Sequence, residues 1–129
     1  MSVMADISGK FKFGWYGDGG HGERVIEQIL AGKKTATACL AYEAEDSDVS
    51  VGDKLELVDK RGKVYGIVLI TRVDIVPYGA FDEFIANACG HTLEELKELV
   101  KFANGREPGA DEEMRVTHFK LVTIQKVKL

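Results

Sequence analysis

The sequence is poor in the features that mark extracellular, membrane and zinc-binding proteins. It has only two cysteines in 129 residues, Cys39 and Cys89, and they form neither a CxxC motif nor a zinc-ligand spacing. The longest run of isoleucine, leucine and valine, Ile67 to Ile70, is too short to cross a bilayer, and the N-terminus has no signal-peptide pattern. We therefore expect a cytoplasmic protein with reduced thiols, no membrane partner, no metal and no other cofactor.

The sequence also lacks an excess of positive charge. Its net charge of −4 disfavours a protein whose whole surface binds duplex nucleic acid. The charge is uneven, because residues 82–113 carry nine acidic and three basic side chains, whereas residues 114–129 carry four basic and no acidic ones. A local basic face would exist if the final strand lay beside Lys33 and Lys34.

The hydrophobic pattern predicts the element order β, α, β, ββ, αα, β within one domain, residues 1–129. The predicted strands cover 10–13, 35–40, 54–59, 63–76 and 114–129, and the helices cover 23–31 and the segments after Pro77 and Thr92. Gly66 and residues 116–119 indicate bulges. Long, bent antiparallel strands without a βαβ series favour an α+β fold, a small, mostly antiparallel β-barrel with helices packed outside.

Five glycines lie within Gly14–Gly22, just before the first predicted helix. Glycine-rich backbone at such a place can present N–H groups to an anion. The segment is not a P-loop, and no strand–helix–strand pattern of the nucleotide-binding kind surrounds it, so a flexible loop is the favoured interpretation. Trp15 and Tyr16 could stack on a base, although packing is the commoner role for such a pair.

A second polar segment, Gly32 to Thr37, lies where the first helix gives way to a strand. Glycine commonly ends helices, and two lysines and two threonines follow within five residues. They form a candidate site. A structural interpretation stays open, because lysines near a helix end complement its dipole and strand threonines fill half-buried sheet surface.

Three segments together resemble the ASCH domain family: Ile29 to Ala38, Val51 to Asp53, and Asp74 to Tyr78. The segment from Gly105 through Met114 to the last strand resembles the longer bacterial members. The resemblance implies a PUA-like β-barrel with a cleft between barrel and helices. It also implies that the Gly32–Thr37 segment floors this cleft and that the ligand is RNA or a nucleoside.

The family motif, Gly-x-Lys-x-x-Glu/Thr-x-Arg, falls on Gly32, Lys34 and Thr37. Cys39 stands where many members have the arginine. This departure weakens any inference that an anion binds at that point.

Some small members of the family are amidohydrolases that deacylate N4-acetylcytidine with a lysine, a threonine and a glutamate. The resemblance places the lysine on Lys34 and the threonine on Thr37. The glutamate position falls on Cys89, with Glu83 or Asp82 nearby as a replacement. One bacterial member is reported to cleave RNA.

The chemistry of such a hydrolase is coherent. Threonine needs a base to take its proton, and a desolvated lysine of lowered pKa can be that base. Residues 34 and 37 of a regular strand would point to opposite faces. Lys34 must therefore lie in the turn before the strand if the two side chains are to meet.

Two functions follow, with RNA or a small nucleoside as the partner. The first is a module that binds the ligand in the cleft; the second is an amide hydrolase in which Thr37 is the nucleophile and Lys34 the base. Metal-independent RNA cleavage ranks below both. The predicted catalytic residues are Lys34 and Thr37, and the predicted substrate-binding residues are Gly32, Lys33, Lys34, Thr35, Thr37, Glu83 and Cys89.

The three histidines show no metal-ligand spacing. We expect His21 and His91 at the surface or at a helix cap. His118, beside Arg115 on the basic last strand, is the strongest candidate among them for a position in the cleft.

Overall fold

The elements follow the predicted order in the computed structural model, which describes residues 7–41 and 49–124. A 3-10 turn, Tyr78–Ala80, links the fourth strand to the second helix. The strands and helices are β1 (Ile7–Lys12), α1 (His21–Leu30), β2 (Ala36–Leu40), β3 (Lys54–Val58), β4 (Val64–Pro77), α2 (Glu83–Ala88), α3 (Leu93–Asn104) and β5 (Glu113–Ile124). The mixed α+β class is as predicted, and the last five residues of the predicted final strand lie outside the described residues.

The five strands form a single sheet in the order β1-β3-β4-β5-β2. β1 pairs with β3 in parallel and the other neighbours are antiparallel. The described strands do not close into the expected β-barrel, because β1 and β2 are the two edges of the sheet and do not pair with each other. Helix α1 explains why the sheet can stay open. Its residues Val25, Ile26 and Ile29 bury apolar side chains of the sheet that would otherwise need a closed barrel to bury them.

Local sequence signals explain the helix ends. Thr92 and Glu95 form a capping box at the start of α3, and Gly105 ends that helix in the left-handed conformation, with φ of 70°. Phe84 of α2 does not face the core and is 76% exposed. The helix has only six residues: Ala86 is its fully buried residue, and Ile85 and Ala88 pack against the same core cluster.

Two irregularities in β4 bend the sheet. Leu57 pairs with Gly66 and Val58 with Val64, so the extra residue lies next to the glycine that predicted a bulge. The bulge predicted in β5 near residues 116–119 is found on the opposite strand. Ile70 pairs with Phe119 and Arg72 with His118, and the extra residue is therefore on β4.

The buried side chains form two clusters. The first cluster packs α2 and α3 against β2 and the adjoining ends of β4 and β5, with Leu40, Phe81, Leu96 and Met114 among its members. The second packs α1 against β1, β3 and the other halves of β4 and β5. Among the described residues, no helix is long and apolar enough to span a membrane.

Candidate functional site

The Gly32–Thr37 segment begins with a hydrogen-bonded turn that closes α1. Gly32 has φ of 75°, its N–H donates to the Ile29 carbonyl at 3.1 Å, and the Lys33 N–H donates to the Gln28 carbonyl at 2.8 Å. This is the Schellman pattern, which requires the left-handed conformation that glycine adopts without strain. Because β2 begins only at Ala36, Lys34 lies in the turn, as the pairing of Lys34 with Thr37 requires.

Lys34 is almost fully buried, with 6% of its surface exposed. Its Nζ donates a hydrogen bond to the Cys89 carbonyl at 3.0 Å, and the neighbouring Thr35 N–H donates to the Ala88 carbonyl at 2.7 Å. The segment therefore satisfies carbonyls at the C-terminal end of α2, not only those of α1. Burial lowers the pKa of Lys34, and the Cys89 thiol opposes this in part.

Lys34, Thr37 and Cys89 line a single cavity of about 190 Å³, which we call the inner cavity. Its wall is mainly apolar, and one face of α3 supplies much of it. The residues of that face recur at the helical spacing i, i+3, i+4, i+7: they are Leu96, Leu99, Val100 and Ala103. The structure thus brings together Lys34, Thr37 and Cys89, three of the residues predicted for the site.

Two exposed aromatic side chains also line the inner cavity. Trp15 comes from the glycine-rich loop and is 50% exposed, and Phe102 comes from α3 and is 76% exposed. Large aromatic rings that lie at a cavity and keep contact with water are suited to stacking on a flat ligand.

Asp18 fixes the loop that carries Trp15. Its carboxylate accepts hydrogen bonds from the N–H groups of Trp15, Gly20 and Gly22, and from Lys60 Nζ at 2.9 Å. The Lys60 bond, assisted by those N–H groups, holds the pKa of Asp18 well below its usual range. The glycine-rich N–H groups therefore bind an anion, but the anion is the protein's own carboxylate.

His21 and His91, which were expected at the surface or at a helix cap, both line the inner cavity. Burial lowers the pKa of His91, and the nearby Lys34 ammonium lowers it further. His91 is two residues from Cys89, the position matched to the family's glutamate, and that proximity was the available signal. His118 lies elsewhere, on a groove with Phe84 and Asp74, whose carboxylate is 3.5 Å from His118 Nε2.

The other predicted binding residues lie around the inner cavity but not in it. Lys33 lines a neighbouring, larger cavity of about 570 Å³, the outer cavity. Gly32 and Thr35 line a third cavity on another side of Lys34. Glu83 accepts a hydrogen bond from the Leu93 N–H at 3.2 Å and is not among the lining residues of these cavities. Within the part of the chain that the structure describes, no cluster of side chains fits a metal ion.

Comparison with known proteins agrees with the resemblance to the ASCH domain family. Residues 12–123 match the family model described as ASCH domain. The fold is similar to the crystal structure of an ASCH domain from Lactobacillus crispatus JV V101, with a TM-score of 0.75, 22% identity and coverage of 95% of this chain and 87% of that one. It is also similar to a protein from Enterococcus faecalis V583, with a TM-score of 0.65, 23% identity and coverage of 86% and 76%. No curated protein matches the sequence.

Proposed function

Because the chain belongs to the ASCH domain family, we propose that its inner cavity binds the base of an RNA nucleotide or of a nucleoside. The observation that carries the proposal is the buried ammonium of Lys34. A lysine has three N–H donors, and among the described residues the Cys89 carbonyl is the acceptor that Lys34 Nζ reaches. Buried donors are normally satisfied, so a ligand with carbonyl or ring-nitrogen acceptors completes the site.

The size and wall of the inner cavity support a base as the ligand. Its volume of about 190 Å³ is below the roughly 300–1,000 Å³ of pockets that enclose drug-sized ligands. A flat ring fits such a space better than a whole nucleotide does. Trp15 and Phe102 offer stacking surfaces, each worth about 1–3 kcal/mol per base in single-strand binding proteins.

Binding can be measured by titration calorimetry with the four ribonucleosides and a short single-stranded oligoribonucleotide. We expect Lys34→Met and Thr37→Val to weaken the affinity for any bound ligand by about tenfold or more, which is the loss of one charged or two neutral hydrogen bonds. His118→Asn, on a separate groove, is the matched control and should bind as the wild type does. A folded wild-type protein that binds none of these ligands would refute the proposal.

A second candidate, deacylation of an N4-acylated cytidine, is favoured by the position of Lys34 and Thr37 on one cavity and by the lowered pKa of Lys34. Thr37 Oγ would add to the amide carbonyl carbon while its proton passes to Lys34. The C–N bond would then break, the proton would go to the departing amine, and water would hydrolyse the Thr37 ester. The family's glutamate has no carboxylate counterpart among the described lining residues of the inner cavity, so we rank binding first.

This candidate is tested by incubating the protein with N4-acetylcytidine and following the appearance of cytidine. Turnover that disappears in both Lys34→Ala and Thr37→Ala would establish the hydrolase. Binding of nucleosides without turnover would leave the protein as a binding module.

A further inference from the structure

Strand β4 is longer than its neighbour β3, and its second half has an open edge. β3 and the two residues before it pair with β4 as far as Ile70, whose N–H donates to the Asp53 carbonyl at 2.9 Å and whose carbonyl accepts from the Gly52 N–H at 2.8 Å. Beyond that point β5 pairs with one side of β4, and no described segment pairs with the other side. A groove of about 420 Å³ lies along this stretch, since all five residues from 72 to 76 line it.

The hydrogen bonds of β5 show which backbone groups of β4 point to the open edge. The Phe119 N–H donates to the Thr35 carbonyl, on the side of β2, and the N–H and C=O groups of successive residues alternate in direction along a strand. His118 therefore turns its backbone groups towards β4, where its partner is Arg72. Val73 follows Arg72, so its N–H and C=O point away from β5. An edge with unpaired backbone groups is a template for another strand.

The side chains of this stretch carry charges that complement each other across a two-fold axis. Arg72 Nε donates to Asp74 Oδ1 at 2.9 Å, and the Arg72 side chain is 69% exposed, so its Nη groups are available to a second carboxylate. When two copies pair antiparallel about an axis at Val73, Arg72 of each copy lies directly opposite Asp74 of the other. Opposite charges in such positions stabilise a strand pair. A register centred on Asp74 would instead place two carboxylates opposite each other.

The open edge of β1 differs from that of β4. Lys10 and Lys12 of β1 are exposed, and lysines on an edge strand oppose pairing with a second copy. The open stretch of β4 has no lysine. Two exposed apolar side chains also line its groove, Ile75 at 45% and Phe84 at 76%. A strand that lies along this edge would remove part of their surface from water, which is favourable.

We propose that the open edge of β4 is a self-association surface, on which a second copy of this chain adds its own β4 antiparallel and continues the sheet. The contact is isologous, because both copies contribute the same residues. It is short, with the reciprocal hydrogen bonds of Val73 at its centre and an Arg72–Asp74 pair on each side. The dimer is therefore weak, forms as the protein concentration rises, and needs no ligand in the inner cavity.

Sedimentation velocity of the full chain, from micromolar to millimolar concentration, measures this association. We expect the average mass of the wild type to rise towards twice that of the monomer. Arg72→Glu and Asp74→Lys should each weaken the dimer about tenfold or more, because two copies of either variant place like charges opposite each other. An equimolar mixture of the two variants should associate about as tightly as the wild type, because every acidic position of one copy then faces a basic position of the other.

Two charge-matched controls lie at exposed positions of α3 outside the groove, Lys101→Glu and Glu98→Lys. Both should associate as the wild type does. A wild-type protein that stays monomeric over the whole concentration range overturns the proposal. A mixture that associates no better than the separate variants overturns it as well, because the contact would then use another surface. Controls that weaken the dimer as much as the edge variants do would have the same consequence.

Discussion

Lys34 is buried in an environment that is unfavourable for a charged side chain, and it lines the cavity that we propose as the binding site. Its ammonium is removed from water beside the Cys89 carbonyl and without a carboxylate partner among the described residues. Burial of a charge costs free energy unless partners compensate it. We therefore expect that Lys34 lowers the stability of the ligand-free protein and contributes to ligand binding.

We therefore predict that Lys34→Met preserves or raises the melting temperature at pH 7 while it weakens ligand binding by about tenfold or more. The folded pKa of Lys34 is below its unfolded value, so the folded state binds fewer protons and the wild type gains stability as the pH rises through the lowered pKa towards 10.5. Thermal unfolding between pH 7 and pH 10.5 should show a smaller rise in melting temperature for Lys34→Met than for the wild type. A melting temperature that falls by many degrees would instead mean that the ammonium serves mainly to cap α2.

The sequence could predict the pair Lys34 and Thr37, because a glycine-ended helix followed at once by a strand leaves residue 34 in the turn. It could not predict that Lys34 reaches the end of α2, since that contact joins residues 55 positions apart. His91 was missed for the same reason. A single histidine has no periodic pattern, and only tertiary packing places it beside Lys34.

At the scale of secondary-structure elements, the glycine-rich loop and the first turn of α1 approach each other unusually closely. A Cβ atom added to Gly22 would lie 2.4 Å from the Gly14 Cα atom and 2.7 Å from the Phe13 carbonyl oxygen. Both neighbours are backbone atoms, so the loop would have to move. The sequence identified the glycine cluster, but it suggested a flexible loop because the three N–H groups held by Asp18 were not foreseeable from spacing alone.

Gly22→Ala should accordingly destabilise the protein by about 1–3 kcal/mol, the usual cost of overpacking, and weaken ligand binding through displacement of Trp15. Gly109→Ala is the matched control, because its nearest contact would be an ordinary 3.9 Å to the Glu112 side chain. Urea unfolding of both variants measures the difference. Equal stabilities would show that the loop relaxes without cost.

The capping box of α3 gives a second prediction for an element. Thr92→Ala removes the hydroxyl that accepts the Glu95 N–H at 3.2 Å, and we expect a loss of about 1 kcal/mol in the free energy of unfolding. Thr92→Ser keeps the hydroxyl and should recover most of that loss. If the alanine and serine variants are equally stable, the cap does not contribute. This element was predictable because its signal, Thr-x-x-Glu before an apolar run, is entirely local.

For the whole molecule, the side chains with shifted pKa values predict how the free energy of unfolding changes with pH. His91 has a lowered pKa, so the folded state binds fewer protons and stability begins to fall as the pH drops below about 6.5. Four carboxyl groups also have lowered pKa values through hydrogen bonds to their charged forms, and their contribution is lost below about pH 4. They are Asp18, Asp59, Glu95 and Glu112.

Urea unfolding between pH 3 and pH 8 should therefore show a shallow decline below pH 6.5 and a steep one below pH 4. Asp18→Asn should be less stable than the wild type at pH 7 and lose less on acidification. Parallel pH profiles for the two proteins would contradict the role assigned to the Asp18 carboxylate.

The open sheet marks the limit of what sequence patterns can predict for the whole molecule. Alternation and bulges identify strands, and the ASCH motif identified the family, but whether a curved sheet closes depends on which edges meet. Here residues 7 to 12 pair with β3 in parallel, a long-range pairing that no local pattern specifies. The strand order could therefore be determined only from the three-dimensional structure.

The division of the buried side chains into two clusters has a consequence for cooperativity. Val25 of the inner cavity belongs to one cluster, while Cys89, Leu96 and Val100 belong to the other. A molecule held between them would contact both clusters, so its binding would couple their local unfolding. We expect that occupancy slows amide hydrogen exchange in α1 and α3 together, whereas in the free protein the two helices exchange at separate rates.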